Sequence, residues 1–174
     1  MPKLTNCREP KVIEAFAKLW GTDKLLVSFD GMNLTLPVAS STLEEPWPHV
    51  DQSPNRKGLQ CVQGILNFAP NGPKDGGLVV MRGSHKLNEK FFGTHKVVGR
   101  KTWGPDDWFP FEQSEVAWFK EKGCELIKVC AEPGDLILWD SRTVHYNVLP
   151  ESMNVRALIC KLHALITSAG IDCQ

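Results

Sequence analysis

Hydrophobic and polar residues follow two different periods along this chain. Near the start, Val12, Phe16 and Leu19 recur at the three- and four-residue intervals that place side chains on one face of a helix. This spacing predicts a helix over residues 11–20. Gly21 is placed to end it, because glycine readily adopts the left-handed conformation found after helix C-termini.

From residue 25 onward, short runs rich in Val, Ile, Leu and Phe are separated by clusters of Gly, Pro, Asn and Asp. Such runs are typical of strands joined by tight turns. The predicted strands cover residues 25–29, 34–38, 59–68, 78–81, 126–129, 136–139 and 155–162. Short stretches around His49 and His145 add two further candidates. Many short strands favour a sandwich or barrel, and 174 residues suit one domain with a sizeable core, so we expect a single domain over 1–174.

The segment 86–122 interrupts this pattern, because it is irregular and rich in large aromatic residues. These residues are Phe91, Phe92, Trp103, Trp108, Phe109, Phe111, Trp118 and Phe119. A long insertion in a compact domain is usually a lid, a binding loop or a packed cover. The sequence leaves two alternatives open: the rings seal the barrel wall, or they face a substrate.

Composition removes several classes of partner and site. Twenty basic and twenty acidic residues give a formal net charge of zero, so nothing electrostatic favours a nucleic acid or an anionic membrane. No segment has the apolar length of a membrane span, and the start lacks the apolar run of a signal peptide. The six cysteines include no C-x-x-C pair, which argues against zinc-ribbon and redox motifs. We therefore expect reduced thiols and a cytoplasmic location, with neither a nucleic acid nor a membrane as partner.

The segment His49-Val50-Asp51 is the first candidate for metal binding. On a strand, residues two positions apart project to the same side, so the imidazole and the carboxylate could reach one ion. A His-x-Asp arises easily by chance, so this signal alone is weak. A second histidine has to complete the site.

His145 has the best context among the remaining histidines. A Pro-Gly-Asp turn over 133–135 leads into the apolar run 136–139, and a short connection then brings His145 to the end of that strand. Eleven residues later (156 − 145 = 11), Arg156 opens another apolar run.

These side chains together suggest a catalytic metal. Two neutral imidazoles and one carboxylate make the facial triad associated with non-haem iron(II), which leaves positions open for a cosubstrate and dioxygen. The fork of the Arg156 guanidinium can clamp a carboxylate through two charge-assisted hydrogen bonds. A dicarboxylic 2-oxo acid could therefore chelate the iron at one end and meet Arg156 at the other.

In their order and spacing, these segments resemble the phytanoyl-CoA dioxygenase family, especially its fungal members. The matching residues are Pro48-His49-Val50-Asp51, the run Gly-Gly-Leu-Val-Val-Met-Arg-Gly-Ser-His-Lys over 76–86, Gly134-Asp135-Leu136 through His145, and Arg156. The match runs from about residue 12 to residue 160, and the joint order and spacing are highly specific.

The resemblance implies a mainly β fold: a double-stranded β-helix of the jelly-roll or cupin-like type, with a few helices and the aromatic-rich insertion at 86–122. It implies that His49, Asp51 and His145 bind Fe²⁺. Related halogenases lack the carboxylate ligand, so Asp51 argues against halogenation.

The resemblance also implies 2-oxoglutarate as a cosubstrate held by Arg156. Two further family positions often line or hold the cosubstrate, and here they are Gln63 and Asn147. The implied reaction consumes O₂ and 2-oxoglutarate, releases succinate and CO₂, and hydroxylates a small organic molecule.

Two other interpretations stay open. Little sequence precedes the first strands, and residues 161–174 are an atypical tail that does not resemble the usual continuation of the family. The chain could therefore be a non-catalytic metal-binding barrel or a truncated, inactive form. A zinc hydrolase could use the same three ligands, although Arg156 and the lack of an obvious general base near the triad weigh against it.

Overall fold

The computed structural model describes residues 9–27, 31–37, 45–95 and 107–165, and of Val27 and residues 161–165 it describes the backbone alone. Three α-helices lie in these ranges: α1 Pro10–Trp20, α2 Asn88–Thr94 and α3 Gln113–Glu121. The same ranges hold ten strands: β1 Leu25–Val27, β2 Gly31–Thr35, β3 His49–Val50, β4 Cys61–Asn67, β5 Gly77–Arg82, β6 Phe109–Pro110, β7 Glu125–Lys128, β8 Leu136–Asp140, β9 His145–Val148 and β10 Arg156–Leu165. No helix within the described ranges is long and apolar enough to cross a membrane.

Helix α1 confirms the first prediction and packs on one outer face of the barrel. It begins at Pro10, whose missing N–H is tolerated in the first helical turn, and Gly21 follows its last residue with a φ of 67°. Val12 and Phe16 are buried in a cluster with Val62 of β4. Apolar burial of this kind stabilises a short helix that would be marginal on its own.

The first sheet is antiparallel, with β1 and β2 both lying along one side of β10, followed by β4 and then β8. Alternation along β4 assigns its side chains to two faces. Val62 and Leu66 pack against α1, whereas Ile65 points the other way into a buried cluster with Leu78 and Leu158. That second cluster lies between the two sheets.

The second sheet is also antiparallel and has the order β6-β3-β9-β5-β7. His49 of β3 and His145 of β9 are direct partners across neighbouring strands. Two antiparallel sheets facing each other across a shared interior confirm the predicted double-stranded β-helix.

All seven predicted strands correspond to observed ones, and the short strands expected at His49 and His145 exist. The second strand is displaced, since it begins at Gly31 rather than at residue 34. Residues 28–29 and 38 of the predicted strands lie outside the described residues. The predicted tail over 161–174 contributes its first residues to β10, which continues to Leu165, and residues 166–174 also lie outside the described residues.

The expectation that 86–122 is irregular was wrong for its described parts, 86–95 and 107–122. Helices α2 and α3 and the short strand β6 all lie within it. Helix α3 starts with a capping box, in which Glu112 and Glu115 satisfy each other's backbone N–H groups. Residues 96–106, including Trp103, are outside the described residues.

Most of the described aromatic rings of this segment cover the outer face of the second sheet. Phe91, Phe92, Phe109, Phe111, Trp118 and Phe119 pack around three buried residues of the strands and their flanks. Those three are Val50, Met81 and Val144, and two of them adjoin His49 and His145 in sequence. Because neighbouring strand residues point to opposite faces, this cluster lies on the side away from the histidines. For these rings, the packed cover is the correct alternative.

Candidate metal centre and adjoining cavity

Three side chains that the sequence predicts as metal ligands converge at one end of the barrel. One ligand atom from each of His49, Asp51 and His145 lies within 4.8 Å of the other two. The Asp51 Oδ2 atom is 3.5 Å from Nε2 of His49 and 3.2 Å from Nε2 of His145. Both histidines are buried, and the two imidazole centroids are 4.3 Å apart.

Backbone carbonyls fix which imidazole nitrogen faces the centre. Nδ1 of His145 lies 2.9 Å from the carbonyl oxygen of Thr143, and Nδ1 of His49 lies 3.2 Å from that of Trp47. A carbonyl oxygen only accepts, so each Nδ1 carries the proton and donates. Both Nε2 atoms therefore keep a free lone pair, which is the form of histidine that binds a metal.

Asp51 is held as a carboxylate between the two imidazoles. Burial alone would raise the pKa of the Asp51 carboxyl, but the electrostatic influence of the adjacent His145 and His49 side chains outweighs it and holds the pKa well below the ordinary value. Gln63 adds a further bond, since its Nε2 donates to Asp51 Oδ2 at 2.7 Å. The carboxylate is thus oriented by three neighbours and carries negative charge at neutral pH.

The backbone around Asp51 is tied to the rest of the barrel. Its N–H donates to the carbonyl of Ser141, a fully buried residue whose N–H and hydroxyl both donate to the carbonyl of Cys61. The buried Gln52 side chain donates to the carbonyls of Arg56 and Gly58 and so closes the next loop. These bonds give Asp51, a candidate metal ligand, a rigid support, which sequence patterns did not reveal.

The approach to His145 is fixed by a buried serine. The hydroxyl of Ser84, which is fully buried, donates to the Met81 carbonyl at 2.7 Å and accepts from the Val144 N–H at 2.9 Å. Met81 in turn donates its N–H to the Val144 carbonyl. The end of β5 is therefore bonded to the residue directly before His145.

A cavity of ≈ 360 Å³ opens next to the triad, between the two sheets. Its lining includes His49 and His145 at one end and Arg156 further along, together with Gln63 and Asn147. All of the predicted site residues except Asp51 thus line this one cavity, and Asp51 contacts Gln63 at its edge.

Arg156 brings a buried positive charge into this cavity. It is 6% exposed, and its Nε has no hydrogen-bond partner among the described residues. Burial lowers the pKa of the guanidinium, because the charged form loses hydration. A buried cation of this kind is suited to an anionic ligand that restores the missing interactions.

Gly77 makes room for that guanidinium. A Cβ atom at Gly77 would lie 2.5 Å from both Cζ and Nε of Arg156, and the φ of Gly77 is 92°, in the region that favours glycine. The pair Gly76-Gly77 at the start of a strand was the available sequence signal, since glycine in a strand often marks a close approach. The resemblance included Gly77 without assigning it this role.

The two further family positions expected to line or hold the cosubstrate, Asn147 and Gln63, are both on the cavity wall. Asn147 lies two residues after His145 on β9 and therefore on the same face, with an exposed side chain. Gln63 is buried, and one of its amide N–H groups donates to Asp51, so this side chain directly contacts a metal-ligand candidate.

Three indole rings surround the two imidazoles, and the sequence patterns had not connected them with the site. Trp47 stacks on His49 with ring centroids 4.6 Å apart and planes 1° apart. Trp108, the exception among the aromatic residues of the insertion, is tilted towards His49 at 6.0 Å. Trp139 meets His145 edge-on at 5.4 Å. The rings limit rotation of the imidazoles and exclude water from their flanks.

Comparison with known proteins is consistent with this geometry. Residues 43–147 match the phytanoyl-CoA dioxygenase (PhyH) family. Over 151 residues the chain is 46% identical to the Ava biosynthesis cluster protein O of Aspergillus versicolor, which is 85% of this chain and 49% of that protein. The chain thus spans about half the length of the curated relative that it matches.

Solved structures share the fold at low sequence identity. AviO1 from Streptomyces viridochromogenes Tue57 superposes with a TM-score of 0.63 at 17% identity, over 95% of this chain and 61% of that one. The non-haem α-ketoglutarate-dependent carbocyclase SnoK gives 0.64 at 17%, over 94% and 58%. The epimerase SnoN, solved with Fe³⁺, α-ketoglutarate and nogalamycin RO, gives 0.62 at 15%, over 94% and 64%.

Proposed function

The chain belongs to the phytanoyl-CoA dioxygenase family, and from that premise we propose that it is an iron(II)- and 2-oxoglutarate-dependent oxygenase that hydroxylates a small organic molecule. One observation carries the proposal. The two histidines of the triad line the same cavity as the buried guanidinium of Arg156, whose Nε has no hydrogen-bond partner among the described residues, and Asp51 lies within reach of both histidines.

The donor set of the triad fits iron(II). His49 and His145 offer neutral Nε2 lone pairs and Asp51 offers a carboxylate oxygen, which is the two-histidine, one-carboxylate set of non-haem iron oxygenases. The carbonyl bonds to both Nδ1 atoms hold the rings in place before any metal arrives. Asp51 occupies the position that a halide would need, which argues for oxygen transfer to the substrate.

The cradle around Arg156 fits a dicarboxylic acid. Its guanidinium lies against Gly77 in a water-poor part of the cavity, where two charge-assisted bonds to a carboxylate are stronger than in water. Asn147 and the second amide N–H of Gln63 are further donors for cosubstrate oxygens. In this arrangement Arg156 would hold one carboxylate of 2-oxoglutarate and leave the 2-oxo acid end for the triad.

Iron and 2-oxoglutarate, when bound, supply the oxidation: substrate R–H, O₂ and 2-oxoglutarate become R–OH, succinate and CO₂. The residues of the chain bind, orient and exclude water. Among the structural relatives, SnoN is an epimerase and SnoK a carbocyclase. Relatives with this fold thus carry out different reactions, and we propose hydroxylation for this chain because it is the simplest of the possible outcomes.

The test is to add iron(II) and then 2-oxoglutarate without oxygen, and to follow metal binding and the visible absorption that a chelated 2-oxo acid produces. His49→Ala is expected to abolish metal binding. Arg156→Ala is expected to retain metal binding and to weaken the binding of 2-oxoglutarate by at least ~10-fold, since hydrogen bonds to charged groups contribute ~1.5–3 kcal/mol each. Arg82→Ala, which removes an exposed arginine from the same barrel, serves as the control.

Succinate formation on admission of oxygen completes the test. If iron binds and no succinate forms, the barrel is non-catalytic and the proposal fails. Retained hydrolytic activity with zinc would favour a hydrolase using the same ligands.

A further inference from the structure

Two buried polar atoms beside the triad have no hydrogen-bond partner among the described residues. They are the amide oxygen Oε1 of Gln63 and the indole Nε1 of Trp139. Both side chains line the cavity, and Gln63 is only 8% exposed. Buried polar atoms in folded proteins nearly always have a hydrogen-bond partner. Two unsatisfied atoms on one cavity wall therefore point to a ligand that forms hydrogen bonds with both.

The two orphans are neighbours. Gln63 on β4 and Trp139 on β8 are direct register partners, and such partners project from the same face with Cβ atoms about 5 Å apart. Each also contacts one ligand candidate: Gln63 bonds to Asp51, and the Trp139 ring meets His145. A group bound between them would therefore lie next to the metal centre.

The cosubstrates of the proposed reaction cannot form hydrogen bonds with both atoms. The oxygens of 2-oxoglutarate only accept hydrogen bonds at neutral pH, and dioxygen has no hydrogen to donate. Either could meet the N–H of Trp139, but neither can donate to Oε1 of Gln63. The amide of Gln63 cannot simply be reversed, because the carboxylate of Asp51 needs an N–H donor.

We propose that Gln63 and Trp139 form the polar recognition element for the organic substrate, which presents a hydroxyl group to them. The hydroxyl donates to Gln63 Oε1 and accepts from Trp139 Nε1–H, and a single O–H group can do both. The inference rests on the proposed function, because it assigns the substrate of that same centre. Ile65, Leu78 and Leu158 on the wall are apolar, so the body of the molecule carrying the hydroxyl is apolar as well.

The proposal is tested by binding, with phenol and anisole as probes. Both are apolar rings with an oxygen acceptor, and only phenol has a donor. The full chain is loaded with redox-inactive zinc and 2-oxoglutarate, and the indole N–H signal of Trp139, assigned through Trp139→Phe, is followed by nuclear magnetic resonance. Phenol is expected to shift this signal and to bind ~10-fold or more tightly than anisole.

Two variants separate the partners. Gln63→Leu is expected to bring the phenol-to-anisole ratio close to one, with zinc affinity measured separately because Gln63 also supports Asp51. Trp139→Phe keeps a ring beside His145 and removes the donor, so it is expected to weaken the binding of both probes. Because this variant lacks the indole signal, the affinities of the parent and the variant are compared by calorimetric titration.

Equal affinities for phenol and anisole in the parent would mean that a retained water fills the subsite, and would overturn the proposal. The proposal would also be overturned if neither probe shifted the Trp139 signal while 2-oxoglutarate still bound. Failure of 2-oxoglutarate to bind the zinc-loaded protein would count against the proposed function instead, so the two failures are distinguishable.

Discussion

The guanidinium of Arg156 lies directly against the backbone of Gly77, in space that any side chain at that position would occupy. The two residues belong to different sheets, Gly77 to β5 and Arg156 to β10. The proposed cosubstrate site is therefore built by a contact across the barrel. Gly77 has no side chain, and its lack of a Cβ atom leaves the space that the Arg156 guanidinium occupies.

Gly77→Ala is expected to displace Arg156 and to weaken 2-oxoglutarate binding by at least ~10-fold while iron binding persists. Titration of the metal-loaded variant with 2-oxoglutarate measures this. Gly123→Ala is the matched control, because Gly123 has a similar φ of 84° and open space around its missing Cβ. It carries the same backbone strain. Equal losses in the two variants would show that strain, not the contact with Arg156, is responsible.

Asp75 is expected to anchor the loop before Arg156 in a pH-dependent way. Side-chain bonds from Ser152, a backbone N–H of its own turn and Asn154 hold the pKa of Asp75 below its ordinary value. A lowered pKa in the folded state stabilises above about pH 4, and this contribution is lost as the pH falls further. Asp75→Asn should lower the free energy of unfolding at pH 7. The difference in this free energy between the variant and the parent should become smaller below about pH 4. The exposed Asp23→Asn is the control for denaturant titrations at both pH values.

Ser84→Ala is expected to lower the free energy of unfolding by ~1–3 kcal/mol, because it leaves the buried N–H of Val144 without its acceptor. Iron affinity should fall too, since Val144 directly precedes His145. Ser114→Ala, at an exposed position of α3, should leave both quantities unchanged. Normal iron affinity in a destabilised Ser84→Ala protein would argue that this serine supports the fold alone.

Phe119→Ala is expected to cost ~3–5 kcal/mol of stability, as large buried aromatic residues do. Because its ring belongs to the cover on the far face of the second sheet, the folded protein should bind iron and 2-oxoglutarate as the parent does. Phe68→Ala, at a ring that is 43% exposed, should cost much less. A loss of 2-oxoglutarate affinity in folded Phe119→Ala protein would reinstate the lid interpretation.

The sequence contained enough to predict the barrel and the three candidate ligands. Alternating apolar runs mark strands wherever one face is buried, and His145 follows such a run. His49 and Asp51 do not adjoin one, and their two-residue spacing was the signal instead. Helix α3 was missed because its capping residue is Glu112 rather than Ser, Thr, Asp or Asn. Its buried apolar positions, Val116 and Phe119, are also few.

The supports of the site could not be predicted, because they connect residues distant in sequence. The bond from Gln63 to Asp51 depends on how closely the two sheets approach. The same holds for Ser84 and Val144, which are joined across sixty positions. A local pattern carries no information about such a distance.

The pairing of His49 with His145 across adjacent strands has a consequence for how this protein can change over time. Hydrogen-bonded backbone sets the gap between the two imidazoles, whatever the length of the polypeptide that connects them. Insertions and deletions between the histidines can therefore accumulate without moving either one, provided that they spare the strands. The connecting stretches can diverge in sequence and length while the geometry of the ligand candidates is inherited intact.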